Sequence, residues 1–336
     1  MTAIAAILIF FITVLVHEFG HFIVAKKSGV LVHEFAIGMG PKIYSKKGKE
    51  TLYSLRAIPI GGFCMMEGED TDSASERSLT KQHPLKRILV MAAGPLMNFI
   101  LAFVLLAIVN LSIGSITTTI DIVLPDSPAM EAGLIQGDEI VSIDGELVDS
   151  WQRFAEKISS IDSKNINDIN LGIKRDGELK EVILLPKYFE SEKRVMVGIQ
   201  PTREKNIFLA IKGSFEYLIM LISLMFDFII KLFSGKINAD QVGGPVAVVS
   251  QIGEAAKYGI LPLLNFSAFI SVNLGFFNLL PIPALDGSRI IFAIIEWIRK
   301  KPISPEKEGI VHLVGFAFLM LLMLFVTYKD LIKLFG

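Results

Sequence analysis

The sequence predicts a multi-pass α-helical membrane protein, with four transmembrane helices and a soluble α+β domain inserted between the second and third. Three observations predict it. Four stretches of about 20 residues or more are almost free of charge, the length needed to cross hydrocarbon. Lysines and arginines crowd the loops between spans one and two and between spans three and four. The long segment between spans two and three has the short alternating runs and D-G turns of a small sheet domain. Composition agrees: 52% of the 336 residues are hydrophobic and mean hydropathy is +0.55, too apolar for one soluble domain of this length.

The first span covers about residues 3–25, uncharged except for His17, Glu18 and His21. No basic segment precedes it and no small-x-small site follows, so it is expected to be retained rather than cleaved as a signal peptide. Span two, about 88–113, carries no charge. Span three, about 260–287, is uncharged until Asp286, and span four covers about 309–330. The basic loops place the first and third connections in the cytoplasm, so both termini and the inserted domain are expected outside it. A cell membrane is the expected location. Net charge is only -1, with no block of like charges to mark a nucleic-acid partner. The single cysteine, Cys64, excludes an intrachain disulfide and any multi-cysteine metal site.

Between the first two spans, residues 31–66 alternate β-prone runs with Gly and Pro, as a small sheet associated with the membrane would. Residues 67–84 are rich in Glu, Asp, Ser and Thr and read as a mobile connector. Residues 115–203 run strand, short helix, turn, strand, D-G turn, longer helix and a second D-G hairpin. With "SPAMEAGLIQGDEIVSIDG" at its centre, this segment resembles a PDZ domain of the circularly permuted bacterial kind. The resemblance implies binding of an extended peptide at a sheet edge. In 204–256, Lys205, Lys212, Glu216, Ser223, Asp227, Lys231 and Ser234 fall within about 100° of one another on a helix. That stripe predicts an amphipathic helix lying in the interface, the alternative being a fifth span with its stripe turned to the bundle. Residues 257–336 form the C-terminal membrane half.

The chemistry is in span one. In His17-Glu18-x-x-His21 the two imidazoles stand one turn apart on one helix face, spaced to grip one Zn²⁺, and the glutamate beside them can take a proton from a metal-bound water. Hydrogen bonds between helices would explain the histidines alone but not Glu18. Catalytic zinc takes three protein ligands. Candidates for the third are His33, His83, His312, Glu67, Glu69, Asp70 and Asp286. Asp286 is best placed by depth: His21 and His17 precede the cytoplasmic boundary at Lys26 by about 8 and 14 Å of helix rise, and Asp286 nears the same boundary on span three. Pro281 and Pro283 break the helix just before it, giving irregular backbone suited to a wet, protein-lined cavity.

"HEFGH" in span one, "GPLMN" (Gly94 to Asn98) in span two and "NLGFFNLLPIPALDG" (Asn273 to Gly287) in span three, in that order around a PDZ-like domain, resemble the site-2 protease family, bacterial regulator-of-sigma-factor type with a single PDZ domain. The resemblance implies an intramembrane zinc metalloprotease that hydrolyses peptide bonds within or near transmembrane segments of pre-trimmed substrates such as an anti-sigma factor or a signal-peptide remnant. It implies zinc on His17, His21 and Asp286, Glu18 as general base, and substrate contacts from Asn273 and Asn278 and from the β-structure around Gly61 and Gly62. The rival class is a non-catalytic membrane scaffold or receptor whose PDZ-like domain captures peptides.

Overall fold

The computed structural model describes all residues except 1, 70–72, 164, 191, 193, 237–242, 302 and 336. The chain divides into two compact units, one of residues 1–109 and 214–336, the other of 110–213. In chain order the elements are α1 (Thr2–Lys27), β1 (Val32–Lys47), β2 (Leu52–Met66), α2 (Pro84–Ile113), β3 (Ser115–Val123), α3 (Pro128–Glu131), β4 (Glu139–Ile143), β5 (Glu146–Leu147), α4 (Trp151–Ser159), β6 (Ile169–Arg175), β7 (Glu178–Leu184), β8 (Lys187–Phe189), β9 (Arg194–Met196) and β10 (Ile199–Glu204). They continue with α5 (Ile207–Phe233), α6 (Pro245–Lys257), α7 (Ile260–Leu279), α8 (Asp286–Arg299) and α9 (Pro305–Phe335).

Among the described residues four helices are long and apolar enough to cross a membrane: α1, α2, α7 and α9. The third ends earlier than its hydropathy suggests. Leu279 closes α7, and after the Pro281–Pro283 break Asp286 opens a separate amphipathic helix, α8, instead of finishing the span.

The first unit is built where helices can approach closely. A Cβ at Gly20 of α1 would lie 2.3 Å from the Ala93 carbonyl oxygen of α2, so glycine there sets how near the two helices come. Outer contacts join Ala6 and Ile9 of α1 to Ile252 of α6 and Ile270 of α7. At the other end Ala25, Val90 and Met91 pack on Val32, Phe35, Cys64 and Met66 of the β1–β2 hairpin.

That hairpin is folded on itself. Phe35 pairs with both Cys64 and Tyr53, and Ser54 with both Ala36 and Ser45. Each long strand therefore supplies two segments of a small sheet ordered 62–66, 32–37, 52–55 and 44–47, with Gly62 to Met66 along one edge. The buried Glu34 is held by Arg56 at 2.8 Å, Lys42 at 3.1 Å and Ser54 at 2.6 Å. Burial favours the neutral acid, yet these donors keep its carboxyl below the usual range.

One sequence expectation changes and another gains detail. The described part of the 67–84 connector is tied down rather than loose: Leu79 is buried in the hairpin cluster, Glu67 pairs with His33 and Ser73, and Glu69 pairs with Arg289 at 2.9 Å. Helix α5 packs on the bundle. Leu218 and Leu221 pack with Ala102 and Leu106 of α2 and Ala268 and Val272 of α7, and Phe226 meets Phe276 edge-on at 4.9 Å. It therefore runs alongside α7. The physical reason is a second stripe, Ala210, Ser214, Leu218 and Leu221, which is buried while Lys212, Glu216, Ser223, Asp227 and Lys231 stay exposed.

The second unit has a sheet ordered β10-β3-β4-β6-β7, with β5 paired to β4 and a separate β8–β9 pair. Its core gathers Ile120, Ile140, Leu171 and Ile173 from the sheet with Phe154 and Ile158 from α4. The order of strands and helices is the one expected of the PDZ-like segment. Ser127 caps α3 by accepting from the Met130 amide, and Ser150 caps α4 through Arg153. Asp138, fully buried, takes a bidentate Arg175 at 2.7 Å on each oxygen and the Ile135 amide.

Candidate metal centre and active site

His17 and His21 lie on the buried face of α1, and Asp286 stands at the first turn of α8, 265 residues or more along the chain. The fold brings them together. His17 Nε2 is 3.1 Å and His21 Nε2 3.4 Å from Asp286 Oδ2, and the two imidazole nitrogens are 3.2 Å apart. Among the described residues this is the one group of three or more potential metal ligands.

The protonation pattern follows from the neighbours. His21 Nδ1 is 2.8 Å from the Val90 carbonyl of α2, which can only accept, so Nδ1 carries the proton and Nε2 the lone pair. His17 Nδ1 faces the Asn98 amide at 3.2 Å. Asn98 Oδ1 is buried without a hydrogen-bond partner; turning the amide end for end gives it the His17 Nδ1–H to accept, and again leaves Nε2 bare. Asp286 Oδ2 is likewise buried with no hydrogen bond. With the tautomers so arranged, two imidazole lone pairs and a carboxylate oxygen converge on one point. Their separations of 3.1, 3.2 and 3.4 Å match the edge of about 3.3 Å of a tetrahedron with zinc bonds of about 2.0 Å. The donor set fits zinc.

The "GPLMN" segment builds the wall behind the two histidines. A Cβ at Gly94 would lie 2.2 Å from His21 Nε2, so only glycine leaves room for the ring. Asn98 meets His17, and Ser271 of α7 donates to the Asn98 backbone carbonyl at 2.8 Å. Gly287 has the same function beside Asp286: a Cβ there would meet the Leu280 and Leu279 carbonyl oxygens at 2.2 and 2.4 Å.

Glu18 is within electrostatic reach of His21 and Asp286, and its carboxylate is hydrogen-bonded by the backbone amide of Cys64. That amide belongs to the sheet edge, and Gly62 on the same segment would place a Cβ 3.8 Å from Glu18 Cγ. Gly61 adopts φ +75°, and a Cβ at Gly62 would lie 2.7 Å from the Ala36 carbonyl. Burial pushes the Cys64 thiol far above its usual value, helped by the Glu18 and Glu69 carboxylates, so it is no nucleophile.

The other sequence candidates have different partners. Asn273 donates to the Phe269 carbonyl within α7 at 2.8 Å, and Asn278 lies in the last turn of α7. His33 pairs with Glu67, His83 accepts from the Leu85 amide at 3.2 Å, and His312 accepts from the Ala284 amide at 2.9 Å. Asp70 lies outside the described residues. Sequence reasoning assigned no role to Asn98, Val90 or Ser271. An amide and a hydroxyl in otherwise charge-free spans are the signal for the two side chains; a backbone carbonyl such as that of Val90 leaves none.

Two membrane-helix histidines, a carboxylate brought from a broken third span and an adjacent glutamate define a membrane-embedded metallopeptidase. Comparison with known proteins gives the same class: the model of peptidase family M50 matches residues 5–322. The chain belongs to this family, the site-2 proteases, and is an intramembrane zinc metalloprotease. A protein of Clostridium acetobutylicum is 40% identical over 97% of this chain and 96% of its own length. The regulator of sigma-W protease RasP of Bacillus subtilis is 33% identical, covering 99% of both chains. The zinc metalloprotease RasP of Shouchella clausii is 32% identical over an alignment of 424 positions that includes all of both chains, so it carries segments this chain lacks. Among solved structures, the PDZ domain of an SdrC-like protein from Listeria monocytogenes matches 26% of this chain and 87% of its own, with 22% identity and a TM-score of 0.22.

Proposed function

We propose that His17, His21 and Asp286 hold the catalytic zinc and that Glu18 is the general base that cleaves peptide bonds within or near transmembrane segments of membrane proteins. The observation that carries this is the convergence of three bare donor atoms at tetrahedral spacing, with Glu18 alongside and a sheet edge next to it. Bound zinc supplies Lewis acidity and a water acidic enough to ionise near neutral pH. Glu18 takes the proton of the attacking water and returns it to the leaving amine. The Cys64 amide holds the Glu18 carboxylate in place for that transfer. The Gly62–Met66 edge aligns an unwound substrate segment as an added strand, lowering the cost of exposing a helical peptide bond. Asn278, at the end of α7, offers an amide to the same unwound backbone.

The flanking lysines and arginines support a cytoplasmic site, with both termini and the PDZ-like unit outside. The inward stripe of α5 supports a helix that follows α7 at membrane depth. The PDZ-like unit takes up an extended peptide end or excludes substrates not yet trimmed. The naming of the Bacillus subtilis relative favours an anti-sigma factor as substrate class.

The test uses two variants of the purified full-length protein and a membrane-embedded substrate. Glu18→Gln is expected to keep zinc and lose cleavage by about 10²–10⁴-fold. Asp286→Ala is expected to lose zinc. Wild-type turnover in the first, or unchanged metal stoichiometry in the second, overturns the assignment.

A further inference from the structure

We propose that His312 of the last span is a positioning residue for Asp286, acting by selecting the backbone turn that delivers this carboxylate to the metal site. The proposal rests on the assignment of Asp286 as a ligand.

The Leu285 amide donates to the Ile282 carbonyl at 3.1 Å, closing a four-residue turn with Pro283 and Ala284 at its centre. Ala284 has φ +75°. A proline at the second position and a positive φ at the third are the marks of a type II turn, whose third position is normally glycine or asparagine. An alanine left to itself favours type I, which differs by a half-rotation of the central peptide unit. That peptide unit carries the Ala284 N–H. Its acceptor is His312 Nδ1 at 2.9 Å. The bond therefore holds the one group whose direction distinguishes the two turns.

Asp286 follows two residues later, so the turn sets where α8 starts and where its first carboxylate points. Pro283 itself offers no N–H, and the Ile282 amide is already bonded to the Leu280 carbonyl at 2.7 Å. His312 thus supplies a side-chain acceptor at the point where the break needs one.

The surrounding contacts are built for this. Only 6% of the most apolar window of α9 is buried, against 39% for α7, so α9 is not a general packing element. It meets the break through His312 and Gly315. Gly315, one turn after His312 on the same face, sits so near Pro283 that a Cβ would lie 2.2 Å from the proline Cβ. The His312 ring packs against Phe292 of α8 at 5.8 Å between centroids, and its Nε2 lies 3.6 Å from Glu308 one turn earlier. With Nδ1 accepting, the ring's proton is on Nε2, on the Glu308 side.

Full-length protein is purified and zinc affinity measured by competition with a chromophoric chelator. His312→Leu is expected to weaken zinc binding about tenfold, as loss of an orienting group does. His312→Asn keeps an acceptor at the δ position and is expected to bind like wild type. His312→Gln moves the acceptor one atom outward and is expected to behave like His312→Leu, which covers the case in which His312→Leu fails to fold. Ala284→Gly in the His312→Leu background is expected to recover most of the loss, because glycine holds the positive φ unaided. Wild-type affinity in His312→Leu and His312→Gln, or no recovery with Ala284→Gly, overturns the proposal while leaving the ligand set intact. Unchanged zinc in Asp286→Ala would instead remove the ligand assignment beneath it.

Discussion

Gly94→Ala adds one methyl group to a transmembrane helix and is expected to destroy the metal site. The added Cβ would lie 2.2 Å from His21 Nε2, 2.7 Å from Cε1 and 2.8 Å from Cδ2. Ordinary contact begins at 3.4 Å, so the ring edge must retreat by about 1.2 Å. Metal–ligand distances tolerate about 0.2 Å. The ring has little freedom, since Nδ1 is held by Val90 and the helices already touch at Gly20 and Ala93. Overpacking of this kind costs about 1–3 kcal/mol, partly offset by the about 1 kcal/mol better helix propensity of alanine, so the variant should fold with a modestly lowered melting temperature. Zinc affinity, measured by chelator competition on purified protein, should fall by at least about 100-fold, at the upper end of what loss of ligand orientation costs. Gly309→Ala in α9 is the control: nothing lies within 4 Å of its added methyl, and binding should not change. A folded Gly94→Ala protein with wild-type zinc affinity would refute the packing argument and with it the orientation assigned to His21.

The other expectations concern orientation and acid stability. Asn98→Leu removes the acceptor for His17 Nδ1–H and should weaken zinc binding about 10–100-fold, while Asn98→Asp, which keeps an acceptor, should retain it; equal affinity in all three proteins would exclude Asn98 from orienting His17. In the second unit, burial opposes ionisation of Asp138, but Arg175 and the Ile135 amide hold its carboxyl below the usual range. A depressed carboxyl stabilises the fold above its unfolded pKa near 4 and loses that contribution as pH falls through the lower folded value. Thermal unfolding followed by Trp151 fluorescence in a Trp297→Phe background should therefore show this unit weakening only below about pH 4. Arg175→Leu leaves the buried Asp138 charge uncompensated and should cost about 3 kcal/mol at neutral pH. An unchanged melting temperature at neutral pH would remove the pair as a stabilising element.

Much of this architecture was legible because it depends on local periodicity. His17, Glu18 and His21 are one helical turn, and their geometry follows from α-helical spacing wherever that helix lies. Span positions follow from uncharged length, and the order of strands and helices in the inserted unit from D-G turns and alternation. Less legible are the elements whose state depends on partners. The stripe on α5 is amphipathic in either setting, and only the neighbouring Ala268, Val272 and Phe276 decide that its small apolar face is the one buried. The polar connector reads as loose because its anchors, His33 and Arg289, are remote in sequence.

By itself, then, the sequence determined the helices, the paired imidazoles with their glutamate and the inserted sheet unit, since backbone hydrogen bonding and hydrophobic period act over a few residues. Tertiary structure alone decided that Asp286 Oδ2 meets both imidazoles, that the Val90 carbonyl and the Asn98 amide face their Nδ1 atoms and that His312 reaches Ala284. These contacts join residues 28 to 269 positions apart, and nothing in local spacing encodes a separation of about 3 Å between chains that meet only once the helices have packed.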